Sequence, residues 1–414
     1  MILDVYTNPQ PLLLPLLKLL YILCVGRGYR CVFIKSTNTR GDKMRLVCSK
    51  NLLVEALAVA IKAVSSRTNM PILECCLLTA DESGLTVTTK DLEMAIKTKA
   101  IESEVSENGS IALDVKVFGD IIRGLPGPQI EIVSDEKHLT TIKSGKSEFK
   151  ILGMNPVDFP ELPEVGKAQS FKISANQLKN MVRQTVFSVS QDNSKPVLCG
   201  QLLDISEGII KMVTVDGFRI SLRSFEIDDS DADDQAIKMV VPGKAMDEIS
   251  KILPTDADEV VSFYYTQKHI MFDLGSCIVV SNLLEGEFIN YENMFTNEIT
   301  TLITTGRAEI LESINRATLI SRDTKKVHVK LSITDSVMAI SCNTEMGTSH
   351  EEVNVLQDGP DIEIAFNPKY LIDVFKTLDA EKITIAFTSP LSPCVIKVED
   401  SEDYKYLVLP IRMR

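Results

Sequence analysis

Apolar and polar positions recur along this chain in a pattern that is written three times. Residues 51–66 (NLLVEALAVAIKAVSS), 176–190 (NQLKNMVRQTVFSVS) and 308–321 (AEILESINRATLIS) each return an apolar residue every three or four positions. That spacing predicts helices with one apolar face. A second helical pattern follows each of them, at 115–125, 242–253 and 368–378. Between the two helices lie apolar strands around a tight turn: 85–96 (LTVTTKDLEMAI), 213–221 (VTVDGFRIS) and 338–346 (MAISCNTEM). Asp-Gly between apolar runs is a strong hairpin signal. Asp91, Asp216 and Asn343 are expected to mark the same turn, 125 and then 127 residues apart. Asp120, Asp247 and Asp373 hold matching places in the second helices. Apolar strands then follow at 129–133, 259–263 and 382–386.

A solenoid repeat runs roughly 20–50 residues, so a period near 126 is a whole domain used three times in tandem. The predicted class is α+β: two helices packed on antiparallel sheets, in three copies. Expected boundaries are 44–167, 168–296 and 297–414. The first ends in NPVDFPELP at 155–163, whose three prolines read as a stiff extended linker. Residues 285–293 (EGEFINYEN) form the second exit. Residues 1–43 stand outside the repeat. Their apolar run at 11–25 (PLLLPLLKLLYILCV) is short for a membrane span and broken by Pro15. It also lacks the basic start and cleavage site of a signal peptide. A membrane anchor, a disordered extension and an upstream start codon remain open, and a native start at Met44 is the favoured expectation.

Composition narrows the function. The chain has 414 residues, 44% hydrophobic and 24% charged, with a net charge of −13. That is globular and does not describe a general nucleic-acid binder. Nine cysteines are scattered without a CxxC pair, and four histidines stand without metal-ligand spacing. The cysteines read as small buried hydrophobes of a reducing, cytoplasmic protein. No P-loop, GxSxG, GxGxxG or HExxH is present. No metal or cofactor is expected, and no catalytic constellation is visible. The acidic run at 228–234 reads as a solvated loop.

At this point the chain resembles the bacterial DNA polymerase III β subunit family, the replication sliding clamps. The resemblance rests on NMPIL at 69–73, KDLEM at 90–94, RGLP at 123–126 and DFPEL at 158–162. It continues through TVDGFR at 214–219, VPGK at 241–244, FNPKYL at 366–371 and LPIR at 409–412. These motifs span 44–414 in order. The resemblance implies a non-catalytic ring of two head-to-tail subunits around duplex DNA, with helices lining the hole. It implies partners as well: double-stranded DNA without sequence preference, the replicative polymerase, the clamp loader and repair proteins, and no membrane.

The ring reading predicts basic residues on the repeated helices. Lys62, Arg67, Lys116, Arg123, Lys179, Arg183, Lys244, Lys251, Arg316, Arg322, Lys369 and Lys376 supply two per helix, among several acids. Mapped by motif, the family's DNA contacts fall on Arg67, Arg123, Lys195 and Lys244. Two further family positions fall on Asp192 and Asn293, which are not basic. The family's peptide groove maps onto Leu198, Val215, Gly217, Phe218, Arg219, Ile220, Ile289, Met294, Leu407, Leu409, Pro410, Ile411 and Arg412. An apolar chain end beside an apolar turn has the character of a binding patch. For Val215 and Leu407, packing in the core is an equal expectation. Phe218, at the tip of a turn, is hard to place in a core. The subunit interface maps onto Phe149 and Ile151 on one side and Leu319 and Ile320 on the other. Two other classes compete: an enzyme on a tandem α+β scaffold, and a peptide-binding scaffold that does not encircle DNA.

Overall fold

The computed structural model describes residues 43–65, 68–166, 170–227, 236–254, 259–295, 298–321 and 327–413. The first copy runs β1 Met44–Ser49, α1 Lys50–Ala60, β2 Cys75–Asp81, β3 Gly84–Lys90, β4 Met94–Thr98, β5 Ser103–Glu107, β6 Gly109–Asp114, α2 Val115–Gly124, β7 Gln129–Ser134, β8 Leu139–Ser144 and β9 Ser147–Leu152. The second runs β10 Ser170–Ser174, α3 Ala175–Thr185, β11 Gly200–Ser206, β12 Ile209–Val215, β13 Arg219–Glu226, β14 Ile237–Pro242, α4 Gly243–Ile252, β15 Val260–Tyr265, β16 His269–Asp273 and β17 Cys277–Asn282. The third runs β18 Thr301–Gly306, α5 Arg307–Ala317, β19 Val329–Thr334, β20 Val337–Thr344, β21 Gly347–Asn354, β22 Leu356–Asp358, β23 Ile362–Phe366, α6 Pro368–Thr377, β24 Lys382–Phe387, β25 Cys394–Val398 and β26 Tyr404–Val408.

Three of the described α-helices, α2, α3 and α6, start where side chains satisfy the free N–H groups of the first turn. Asp114 accepts from the backbone of Lys116 and Val117, and Ser174 and Gln177 cap α3 reciprocally. Asn367 caps α6, with Pro368 in the first position, where no N–H is needed. Each helix then buries one stripe. In α2 the buried residues are Val115, Phe118, Gly119 and Ile122, spaced by three, one and three.

Two sheets cross from one copy to the next. An eight-stranded sheet, in order β10-β15-β16-β17-β4-β3-β2-β6, joins the first and second copies through β17 and β4. A nine-stranded sheet, β14-β11-β12-β13-β26-β25-β24-β18-β22, joins the second and third through β13 and β26. Both joints are antiparallel and use equivalent strands in equivalent register. Val279 faces Ile96 and Ser281 faces Met94 in the first; Tyr406 faces Ser221 and Val408 faces Arg219 in the second. Each ladder extends by one further bond, Asn282 N to Glu93 O and Leu409 N to Phe218 O, both at 2.9 Å. Two smaller sheets remain, β5-β1-β7-β8-β9 and β21-β20-β19-β23, with β9 and β21 as edges.

Each copy has its own core under its helices, and neighbours reach across. Val59, Ala63, Met94 and Ile96 of the first copy pack into the core of the second, and Phe187 of the second packs into that of the third. The helices form a row. α1 packs on α2, α3 on α4 and α5 on α6. Lys62 reaches Glu248 of α4 at 3.7 Å, and Arg183 of α3 pairs with Asp379 just beyond α6.

The third hairpin differs from expectation. Asp91 accepts from the backbone N–H groups of Glu93 and Met94, and Asp216 does the same for Phe218 and Arg219. Asn343 caps nothing of this kind: it lies inside β20 opposite Thr348. Thr344 takes the turn position instead, its hydroxyl accepting from Met346 N at 3.3 Å. A hydroxyl substitutes for the carboxylate one residue later, and the strand runs one residue longer.

Candidate partner groove and nucleic-acid face

Alternation along β13 sends its side chains to opposite faces of the joint between the second and third copies. Ile220 and Leu222 face outward, away from the helices. Arg219 and Ser221 face the helices, and Ser221 shares a 2.7 Å hydrogen bond with Ser188. The outward residues join Leu198, Leu202, Val213, Val215, Val240, Tyr291 and Leu407 in one apolar cluster separate from the three cores. Val197, Leu284, Phe288, Ile289, Phe295 and Val395 flank it. Val215 and Leu407 are each 4% exposed, so both are its floor. The chain end crosses this joint, tied by Leu409 N to Phe218 O and by Ile411 N to Ala365 O at 2.7 Å. Leu409, Ile411 and Met294 are half-exposed, and Arg412 is exposed.

Phe218 stands 58% exposed at the hairpin tip. Gly217 beside it holds φ +91°, a conformation that favours glycine. The Phe218 ring stacks on Tyr370 of α6, with centroids 6.2 Å apart. Tyr370 was not foreseen from the sequence. Its signal would have been an aromatic residue one turn into a helix whose N-terminus faces the hairpin.

Arg219 stands on the other side of β13 from the apolar cluster, against Tyr370. Its side chain is 6% exposed and lies on the helix face. It bonds Asp216 and Asp373 at 2.8 Å each and donates to Phe187 O at 2.7 Å. The guanidinium also lies 4.5 Å from the Tyr370 ring centroid. Burial works against its charge, but Tyr406, Asp373 and Asp216 outweigh it and lift the pKa above the ordinary arginine value. Arg219 thus clips the second copy to the third beneath the groove floor.

A cavity of about 680 Å³ opens beside the cluster, between β14 and the segment 283–292. It shares Leu202, Val240, Ile289 and Tyr291 with the cluster but reaches to Tyr265 and Gln267 on its far side. At its wall Tyr291 donates to Asp204 at 2.7 Å, and Lys238 pairs with Asp204 at 3.0 Å. Burial, then Asp204, pushes the Tyr291 phenol above its usual range.

Of the four proposed DNA contacts, Arg67 lies outside the described residues, as does Arg322 of the basic helix residues. Arg123, in the last turn of α2, is half-exposed and pairs with Asp120 at 2.5 Å. Lys195 is exposed at the head of the short turn Pro196–Cys199. Lys244, in the first turn of α4, is 56% exposed and holds Asp91 at 2.7 Å. Burial depresses the Lys244 pKa, but the bond to Asp91 outweighs this and raises it. Asp192 is exposed, with its carboxyl held below the usual range by the backbone N–H and hydroxyl of Ser194. Of the four interface residues, Phe149 and Leu319 are 44% and 54% exposed. Ile151 and Ile320 are partly buried against their own cores.

Among the described residues no group of acids, histidines and cysteines could hold a metal ion, and no helix is long and apolar enough to cross a membrane. Seven described cysteines are free.

Comparison with known proteins supplies the class. Models for the N-terminal, central and C-terminal domains of the DNA polymerase III beta subunit match residues 44–163, 172–290 and 292–412. The beta sliding clamp of Halalkalibacterium halodurans is 34% identical over 379 residues, covering 89% of this chain and all of the relative. That of Bacillus subtilis is 31% identical over the same length. Among solved structures, a DNA polymerase III beta subunit from Eubacterium rectale superposes with TM-score 0.85 at 37% identity, covering 89% of this chain and 100% of the other. The Bacillus subtilis sliding clamp superposes with TM-score 0.86 at 31% identity, covering 90% and 100%. A Pseudomonas aeruginosa clamp bound to griselimycin gives 0.83 at 26%, covering 89% and 100%. The chain therefore belongs to the DNA polymerase III beta subunit family, the β sliding clamps, which are non-catalytic processivity factors. Its three tandem copies are clamp domains.

Proposed function

We propose that two copies of this chain close head to tail around duplex DNA in the cytoplasm. The ring tethers the replicative polymerase, and in turn the clamp loader and repair proteins, through the groove at the joint between the second and third domains. One observation carries the tethering: the outer face of that joint alone is paved with Val213, Val215, Ile220, Leu222 and Leu407. The domains take boundaries near 167 and 296.

Ring closure is supported by the repeat itself. β9 stands in its domain where β17 and β26 stand in theirs, and β21 stands where β4 and β13 stand. Two of the three joints are made within one chain; β9 and β21 are the strands left for the third. The helix row ends on α2 and α5, and a second copy continues it. Leu319, the equivalent of Lys62 and Phe187, follows α5 as those two residues follow α1 and α3 at the internal joints. Phosphate contacts carry no sequence information and weaken with salt. Exposed cations such as Arg123 and Lys195 suit a ring that centres DNA without gripping it, while retention is topological.

The test is retention. Loaded protein stays on nicked circular DNA and leaves linear DNA by sliding off the ends. Equal retention on the two rules out the ring and favours a scaffold that does not encircle DNA.

A further inference from the structure

After β17 the chain runs as a strap, residues 283–295, beside the apolar cluster. Its start is fixed by Leu283 N to Lys268 O and Leu284 N to Val240 O, both at 2.8 Å. Gly200 makes room for it, because a Cβ there would come 2.7 Å from Leu284 Cδ1. Among the described residues, 285–290 make no backbone–backbone hydrogen bond. Phe288, Ile289 and Phe295 of the strap nevertheless form one flank of the cluster. A wall with so few backbone ties needs a side-chain anchor.

Tyr291 supplies it. Its side chain is 2% exposed within the cluster, and its hydroxyl donates to Asp204 at 2.7 Å. Asp204 is also 2% exposed. It lies on β11 directly opposite Lys211 of β12 and Lys238 of β14. Lys238 pairs with Asp204 at 3.0 Å, and Lys211 pairs with Glu292 at 3.0 Å. One cross-strand row of three charges thus takes hold of two consecutive strap residues. The first domain has no such row. Cys75 opposite Asp114 matches Gly200 opposite Pro242, so Thr79, Thr86 and Ser110 hold the places of Asp204, Lys211 and Lys238. In its linker Leu162 follows Phe159 by three residues, as Tyr291 follows Phe288. Of the two internal joints, the one with the apolar outer face is the one with the charged row and the phenol.

Resting on the groove reading above, we propose that Tyr291 and Asp204 are positioning residues for partner binding: their bond seats the strap so that Phe288 and Ile289 stand as a wall of the groove. Tyr291 offers a partner almost no surface, so it acts through the strap. A protein whose strap is seated part of the time binds in proportion to the seated fraction. A hydrogen bond to a buried carboxylate is strong enough to shift that fraction about tenfold.

The experiment uses the full chain with Tyr291→Phe, which keeps the ring in the cluster and removes only the bond. Affinity for a polymerase-derived linear peptide is read by fluorescence polarisation, and exchange of the strap amides by hydrogen–deuterium mass spectrometry. Affinity is expected to fall about threefold to tenfold. Strap exchange is expected to quicken in the free protein and to return to the unaltered rate at saturating peptide, while β11 and β12 exchange as before. Asp204→Ala should weaken the peptide as Tyr291→Phe does, and Asp204→Asn, which still accepts from the phenol, should bind within about twofold of the unaltered chain. Unchanged affinity in Tyr291→Phe, or an affinity loss without faster strap exchange, overturns the latch. So does exchange that quickens equally through the strap, β11 and β12, which marks a scaffold role. In each of these cases the groove stands if Val215→Lys with Leu222→Lys still loses the peptide. Affinity indifferent to that pair of substitutions overturns the groove and the latch with it.

Discussion

The joint between the first and second domains and the joint between the second and third share strands, register and terminal bond, yet only one has an apolar outer face. Where the second joint has Val213, Val215, Ile220 and Leu222, the first has Thr88, Lys90, Ala95 and Lys97. Lys90 donates to Glu161 O and Asn282 to Leu92 O, so the first joint satisfies its polar groups internally. Only about 10 Å³ of space remains beside its turn. The helix-side ties differ in the same sense. An exposed lysine, Lys244, links the first joint, and a buried arginine held by two carboxylates links the second. The two joints thus share one backbone plan and differ at four outward residues and one inward tie, the difference on which the proposed recognition rests.

The largest effect that separates the joints is at the buried clip. Arg219→Ala leaves Asp216 and Asp373 without their cation and is expected to cost about 3–5 kcal/mol. Lys244→Ala removes a half-exposed lysine from a buried carboxylate that keeps its two backbone donors, and is expected to cost less, about 1 kcal/mol. Denaturant melts of the two variants check this, and equal losses break the comparison. Next comes recognition. Val215→Lys with Leu222→Lys writes the chemistry of the first joint onto the second. Affinity for a polymerase-derived linear peptide, read by fluorescence polarisation, is expected to fall at least a hundredfold, since each apolar side chain left in water forfeits about 1.5–3 kcal/mol. Removing 409–414 should also abolish peptide binding while light scattering still shows the assembled protein. Phe218→Ala removes the stack on Tyr370 and should weaken the peptide about fivefold to tenfold, as expected for an aromatic pair, with little change in melting temperature. The smallest effect is a titration. The Lys244 pKa is raised above 10.5 in the folded protein. Its contribution is therefore complete below 10.5 and is lost as pH rises through the still higher folded value. The melting difference between the unaltered chain and Asp91→Asn should vanish over that rise. A difference that grows there would contradict the assignment.

Much of this was legible in the sequence. The threefold period, the six helices and two of the three hairpin turns follow from apolar spacing and Asp chemistry. The third turn was misplaced by one residue because Thr344 can cap a turn as Asn343 can, and spacing alone does not choose between them. Arg219 was assigned to the groove from its motif. The two-residue alternation of a strand already implied that Ile220 and Arg219 face opposite ways. Tyr370 was missed because it reaches the groove from another domain. Which strand edges meet depends on tertiary pairing, so the joints could not be read from any one segment.

The most direct measurement is a crystal structure of the full chain with a polymerase-derived linear peptide bound. The peptide is expected across Val215, Ile220 and Leu407, with its apolar side chains against Leu198 and Phe218, and absent from the Lys90 and Lys97 face. Peptide density beside Lys90 and Pro163, or in the cavity lined by Tyr265 and Gln267 with the Leu407 face empty, would contradict the assignment of recognition to the second joint.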